Sequence, residues 1–155
     1  MERGKNDNRN NQLNGKIERL KKEIIELMSS EKTDYSRLVS IGKEVAQEIK
    51  KLSSNQLRKF HAYIVRFAMM YEIQKKCGDR DSNESFQKIQ LLRYHLHYAA
   101  KKVQSSKSDA KNLAALLGAA VEKVKQPEDL LRLKYLSEAI VAYHKSYKSN
   151  EDNGE

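Results

Sequence analysis

The chain has 155 residues, a single Cys and a formal net charge of +9. That length fits one domain whose hydrophobic core needs no staples, and one thiol, Cys77, excludes an intramolecular disulfide framework and fits a reducing cytoplasm. No apolar run approaches the ~20 residues that cross a bilayer, and the N-terminal MERGKNDNRNNQLNG lacks the apolar segment of a secretory signal, so neither a membrane nor export is expected.

With one Pro, six Gly and no strand-like alternation, the pattern predicts an all-α fold, a compact helical bundle of about five to six helices. Residues 1–14 are Asn-, Lys-, Arg- and Asp-rich and read as a disordered segment; 15–149 read as one bundle domain, and NEDNGE at 150–155 as a disordered tail. The first helix is expected from Gly15 to Met28, with Ile17, Leu20, Ile24 and Leu27 as its apolar stripe. The second is expected over Asp34–Lys51, N-capped by Asp34, with Leu38, Ile41, Val45 and Ile49 inward.

The third opens at Ser53. Ser53-x-x-Gln56 fits a capping box, in which the hydroxyl takes up a free backbone N–H. Leu57, Phe60, Ile64, Phe67 or Ala68, and Tyr71 form its inward stripe, and Gly78-Asp79 ends it. The fourth, from Asn83 to Gln104, puts Phe86, Ile89, Leu92, Leu96, Ala99 and Val103 on one face; Ser108 is expected to cap the helix that follows. That fifth helix, Asp109–Lys125, is apolar around much of its circumference and is expected at the centre. Its Ala114, Ala115, Gly118 and Ala119 would let neighbours approach closely. The last helix opens at Pro127, where no N–H is needed, and buries Leu133, Leu136, Ile140, Tyr143 and Tyr147.

The types of residue present argue against several chemistries. His95 and His97 are two apart, so a helix points them in different directions, and no His pair has the i, i+4 spacing of a zinc helix. Cys77 has no C-x-x-C partner, and there is no Gly-rich phosphate loop or G-x-S-x-G turn. Neither a metal, a cofactor nor catalysis is therefore expected. His61 and His144 read as partly buried packing residues.

Charge is more informative. Residues 33–107 carry 15 Lys/Arg against 7 Asp/Glu, a net of +8, while 108–155 carry 7 against 8. The positive charge thus sits on middle helices, as a surface for a polyanion requires. On the third helix Lys59 and Arg66 are seven apart and share a direction, with Tyr63 between them. On the fourth, Arg93, His97 and Lys101 are spaced i, i+4, i+8, beside Tyr94, Tyr98 and Lys102. Arg and Lys can hold phosphates and Tyr can stack on a base or sugar. The same pattern also suits Tyr at the rim of a core with snorkelling cations, and the spacing leaves both readings open.

Three segments, LSSNQLRKFHAYI at 52–64, LLRYHLHYAAKK at 91–102 and YLSEAIVAYHKSY at 135–147, together resemble the small-subunit family of type III-A CRISPR–Cas effector complexes, the Csm complexes. The resemblance spans roughly residues 33–148. It implies an all-helical, non-catalytic cytoplasmic protein that stacks head to tail with its own copies. Its partners would be the guide and target RNA and the backbone and large subunits of the complex. It places RNA contacts at Arg58 and Lys59 and at Lys101 and Lys102, and Arg66 and Arg93 join them from the charge pattern. Where many relatives have Gly-Arg, this chain has Ala100-Lys101, which keeps the charge and loses the planar fork. A helical adaptor for an acidic protein surface, binding no nucleic acid, would use the same basic faces.

Overall fold

The structure is a computed structural model, which describes residues 3–76 and 86–152. Six α-helices occupy most of those residues: α1 (Arg3–Ser29), α2 (Tyr35–Glu48), α3 (Ser54–Lys76), α4 (Leu92–Lys102), α5 (Lys107–Glu122) and α6 (Pro127–Asp152). A 3-10 turn, Lys88–Leu91, leads into α4. The expected start of the fourth helix at Asn83 and the Gly78-Asp79 stop of the third lie outside the described residues.

The helices pack as a closed ring. Going round it, α1 touches α2, α2 touches α6, α6 touches α3, α3 touches α4, α4 touches α5, and α5 returns to α1. The seams α2/α6 and α4/α5 are the most extensive. Leu20, Ile24, Val45, Ile64, Leu96, Leu113 and Leu133 meet inside, each with no exposed surface. In this ring α4 stands three places from α2, so the two helices face away from each other.

The local signals behave as their chemistry requires. Asp34 Oδ1 accepts from the Arg37 N–H at 3.0 Å and starts α2. At the head of α3 the Ser53 N–H donates to Gln56 Oε1 at 3.0 Å, and the Gln56 N–H donates to Ser53 Oγ at 3.1 Å. Asp129 Oδ2 accepts the N–H groups of Lys125 and Gln126 at 3.0 and 3.2 Å, at the entry to α6.

Several expectations need correction. Residues 3–14 are helical and extend α1 backwards; no side chain from residue 8 to Leu13 is buried, so the packed turns from Ile17 onward nucleate a helix that propagates into solvent. At the other end α6 runs through residue 150 to Asp152. Ser108 does not cap α5. Ser106, in the left-handed conformation (φ 56°), precedes that helix and turns its hydroxyl to the Lys51 carbonyl at 2.8 Å. Gly118 of α5 has no close neighbour: a Cβ added there would meet nothing within 4 Å, whereas Ala119 is buried and Ala114 packs against the core. The close approach is elsewhere, where a Cβ on Gly42 of α2 would lie 2.6 Å from the Ala139 Cβ of α6. The fifth helix thus keeps one flank open while packing against α4, α1 and α6.

Candidate nucleic-acid interface

Helix α4 presents Leu92, Leu96 and Ala99 to the core. At 100° per residue, that inward face puts Arg93, His97 and Ala100 on one flank, His95 and Lys102 on the other, and Tyr94 and Lys101 on the outward crest, with Tyr98 beside them. A groove runs along each flank.

The α3/α4 groove has a volume of about 550 Å³ and is lined by Lys59, Arg66 and Lys102, with Gln56, Tyr63 and Gln104. Tyr63 of its lining stacks on His95 of α4 with ring centroids 5.4 Å apart, and Phe67 lies 5.8 Å from the same His95. No carboxylate lines the groove. The α4/α5 groove is larger, about 650 Å³, with Lys21, Arg93, His97, Lys101, Lys107 and Lys111 on its rim. Its floor is the open flank of α5, Ala114, Ala115 and Gly118. Its one acidic group, Glu122, sits 3.8 Å from Arg93, with both side chains at least half exposed. Such a loose surface pair contributes little and leaves the rim positive.

The six cations expected to meet RNA thus divide. Lys59, Arg66 and Lys102 come together on one side of α4, and Arg93 and Lys101 on the other. Arg58 is exposed on α3 and lines neither groove. Lys21, Lys107 and Lys111 lie outside the sequence-based expectation. The i, i+4 spacing of Lys107 and Lys111 is a readable signal for a shared face; that they join Lys21 of α1 follows only from the ring closure.

The cations on the far side have different surroundings. Four of the five ion pairs among the described residues lie within α1 or join it to α2. They are Arg19–Glu23 at 3.5 Å, Arg19–Glu44 at 2.7 Å, Arg37–Glu26 at 2.6 Å and Lys16–Glu48 at 3.6 Å.

Fold and surface together define a class: a small all-α bundle with a basic face built around one exposed helix. The sequence model of the Csm2 Type III-A family matches residues 32–150, well over half of the chain. The chain belongs to that family, the small subunits of the type III-A CRISPR effector complex, the Csm complex. The match begins after α1, which is consistent with that helix preceding the family core. Neither the curated proteins nor the solved structures contain a match to the chain. No helix among the described residues is long and apolar enough to cross a membrane.

Proposed function

We propose that this subunit serves the Csm complex as a non-catalytic, sequence-independent RNA holder, with the guide–target duplex lying along the two grooves that flank α4. One observation carries the reading. The cations of those grooves face almost no carboxylate, whereas Arg19, Arg37 and Lys16 are each paired within the protein. Unneutralised Lys and Arg on a rigid surface attract a phosphate chain, and specificity is left to base pairing between guide and target. Each copy contacts few phosphates, so binding gains from several copies stacked head to tail in the cytoplasmic complex. Tyr35, Val39, Leu131 and Tyr135, all exposed, with the two Tyr rings 6.1 Å apart, form an apolar strip across α2 and α6 suited to a subunit contact in that stack.

The test is RNA affinity against salt for the assembled complex. Replacing Lys59, Arg66 and Lys101 together by Ala is expected to weaken binding and to flatten the log–log salt slope by about 0.7 for each phosphate that is no longer held. Replacing Arg19 and Arg37 by Gln should change neither. An unaltered slope and affinity in the first variant would remove this reading. A protein partner captured equally well after RNase treatment, with no protected RNA, would favour an adaptor for an acidic surface.

A further inference from the structure

The crest of α4 carries two tyrosines that the core does not use. Tyr94 and Tyr98 are 56% and 54% exposed. They stand one helical turn apart and so project from the same side. A single exposed ring needs no explanation; these two are backed by their own chain. The Tyr94 ring lies 4.5 Å from His95, which in turn stacks on Tyr63 in the α3/α4 groove. The Lys102 ammonium sits 4.6 Å from the Tyr98 ring centroid. A row of rings therefore leads from the exposed crest into a groove whose charged lining is Lys59, Arg66 and Lys102.

Such a surface selects among ligands. A free phosphate would use the cations and neither ring. An aliphatic segment would leave the cations unanswered. An A-form duplex hides its base faces, and opening one step costs a few kcal/mol. A ligand with a flat π face next to a phosphate uses both parts, since stacking tolerates any base and the phosphate needs only charge. We propose that Tyr94 and Tyr98 form a stacking platform for unpaired ribonucleotides, whose phosphates are held by Lys102, Lys59 and Arg66. The inference rests on the RNA-holding reading above and adds a second state of the strand: besides the guide–target duplex, the α3/α4 groove takes up RNA that is unpaired.

The experiment uses the full chain at low salt, titrated to millimolar protein against three labelled RNAs of equal length. These are single-stranded oligoadenylate, an abasic ribose-phosphate chain, and a blunt duplex. The wild type is expected to bind oligoadenylate more tightly than the abasic chain. Tyr94→Leu/Tyr98→Leu should weaken oligoadenylate binding by roughly 5- to 100-fold, as loss of stacking does, with the salt slope and the abasic affinity unchanged. Tyr94→Phe/Tyr98→Phe should retain wild-type affinity, and circular dichroism should show all three proteins equally folded, since neither ring is buried. Wild-type affinity for oligoadenylate in the Leu variant overturns the platform and leaves the RNA-holding reading standing. A Leu-sensitive preference for the duplex overturns the unpaired-strand assignment. Binding to none of the three RNAs removes both readings.

Discussion

Two regions of this molecule use the same residue types to opposite ends. Along α1 and α2, Arg19, Arg37 and Lys16 lie within 4 Å of carboxylates on the same pair of helices. Around α4, Lys59, Arg66, Lys101 and Lys102 form no ion pair among the described residues. Exposed pairs of the first kind contribute little to stability, so the contrast concerns the field each region leaves in the surrounding water. On α1 and α2 the opposing carboxylates lower that field. Around α4 it stays positive and available to a polyanion. A net charge of +9 says nothing of this; the distribution of Glu over the ring decides it.

The largest effect is expected from a cation on the internally satisfied side. Arg132 of α6 is only 2% exposed. Its Nε donates to Thr33 Oγ1 at 2.6 Å, and its two terminal nitrogens donate to the carbonyls of Leu27, Met28, Ser30 and Glu31 at 3.1, 3.3, 2.5 and 2.9 Å. Leu27 and Met28 belong to the last turn of α1, whose carbonyls have no partner within the helix and form the negative end of its dipole. A buried guanidinium without a carboxylate is stable here because each edge of its fork meets oxygen. Arg132→Ala should lower the unfolding free energy by on the order of 3 kcal/mol or more, since it leaves buried carbonyls unsatisfied. Arg132→Lys should lose part of that, keeping charge without the fork. Urea denaturation measures it. RNA affinity per folded molecule should stay unchanged in both variants; a fall would mean that the two regions are not separate.

The same contrast appears in the glycines. The seam between α2 and α6 is closed at Gly42, where an added Cβ would lie 2.6 Å from the Ala139 Cβ and 3.4 Å from backbone atoms of Ala139 and Ile140. Backbone cannot yield as a flexible side chain does. Gly42→Ala should therefore destabilise by about 1–3 kcal/mol, less the helix-propensity gain. Gly118 faces the open α4/α5 groove, so Gly118→Ala should stabilise by up to about 1 kcal/mol through propensity alone. Shifts of opposite sign in the urea midpoint are expected. If both substitutions destabilise, the groove floor is closed by something in solution and the contrast fails.

How far the sequence can be read depends on how local each interaction is. The Ser53/Gln56 box and the Asp34 cap involve groups three residues apart, and both form as their spacing implies. The stripe Leu57, Phe60, Ile64 and Ala68 is buried because the helical repeat alone places it. Arg132 is only half legible: it lies four residues before Leu136, on the inward stripe, where a charge needs a partner. Its partners are carbonyls about a hundred residues earlier in the chain, and no periodicity encodes them. Gly118 of α5 misleads for a related reason. It permits close approach, but permission does not supply a neighbour, and the α4/α5 groove stays open over it. Lys59 and Arg66 share a groove as their seven-residue spacing implies. That Lys101 and Lys102, adjacent in sequence, serve different grooves follows from the 100° step between them.

The smallest effect concerns the histidines of the closed side. His144 is 1% exposed and its Nε2 lies 2.8 Å from the Leu52 carbonyl oxygen, which ties α6 to the turn before α3. A carbonyl accepts, so Nε2 carries the proton and donates. His61 Nδ1 lies 2.7 Å from the buried Ser137 hydroxyl. Burial lowers the pKa of both below the ordinary value of 6.5. The Leu52 carbonyl and Asp109 oppose this at His144, and Glu138 opposes it at His61, each by less, while Lys148 and Lys134 add to the lowering. The unfolded chain therefore binds protons that the folded one refuses. Stability is full above pH 6.5 and falls as the pH drops below that value, levelling off only once the lowered folded-state pKa values are passed. The slope should not exceed about 1.4 kcal/mol per pH unit for each His. Comparing urea midpoints at neutral and mildly acidic pH reads it directly. His61→Gln/His144→Gln should start less stable, because the hydrogen bonds are imperfectly replaced, yet lose less on acidification than the wild type. Equal acid sensitivity in the double variant would move the effect to other groups and show that the closed side of the ring is indifferent to these two imidazoles.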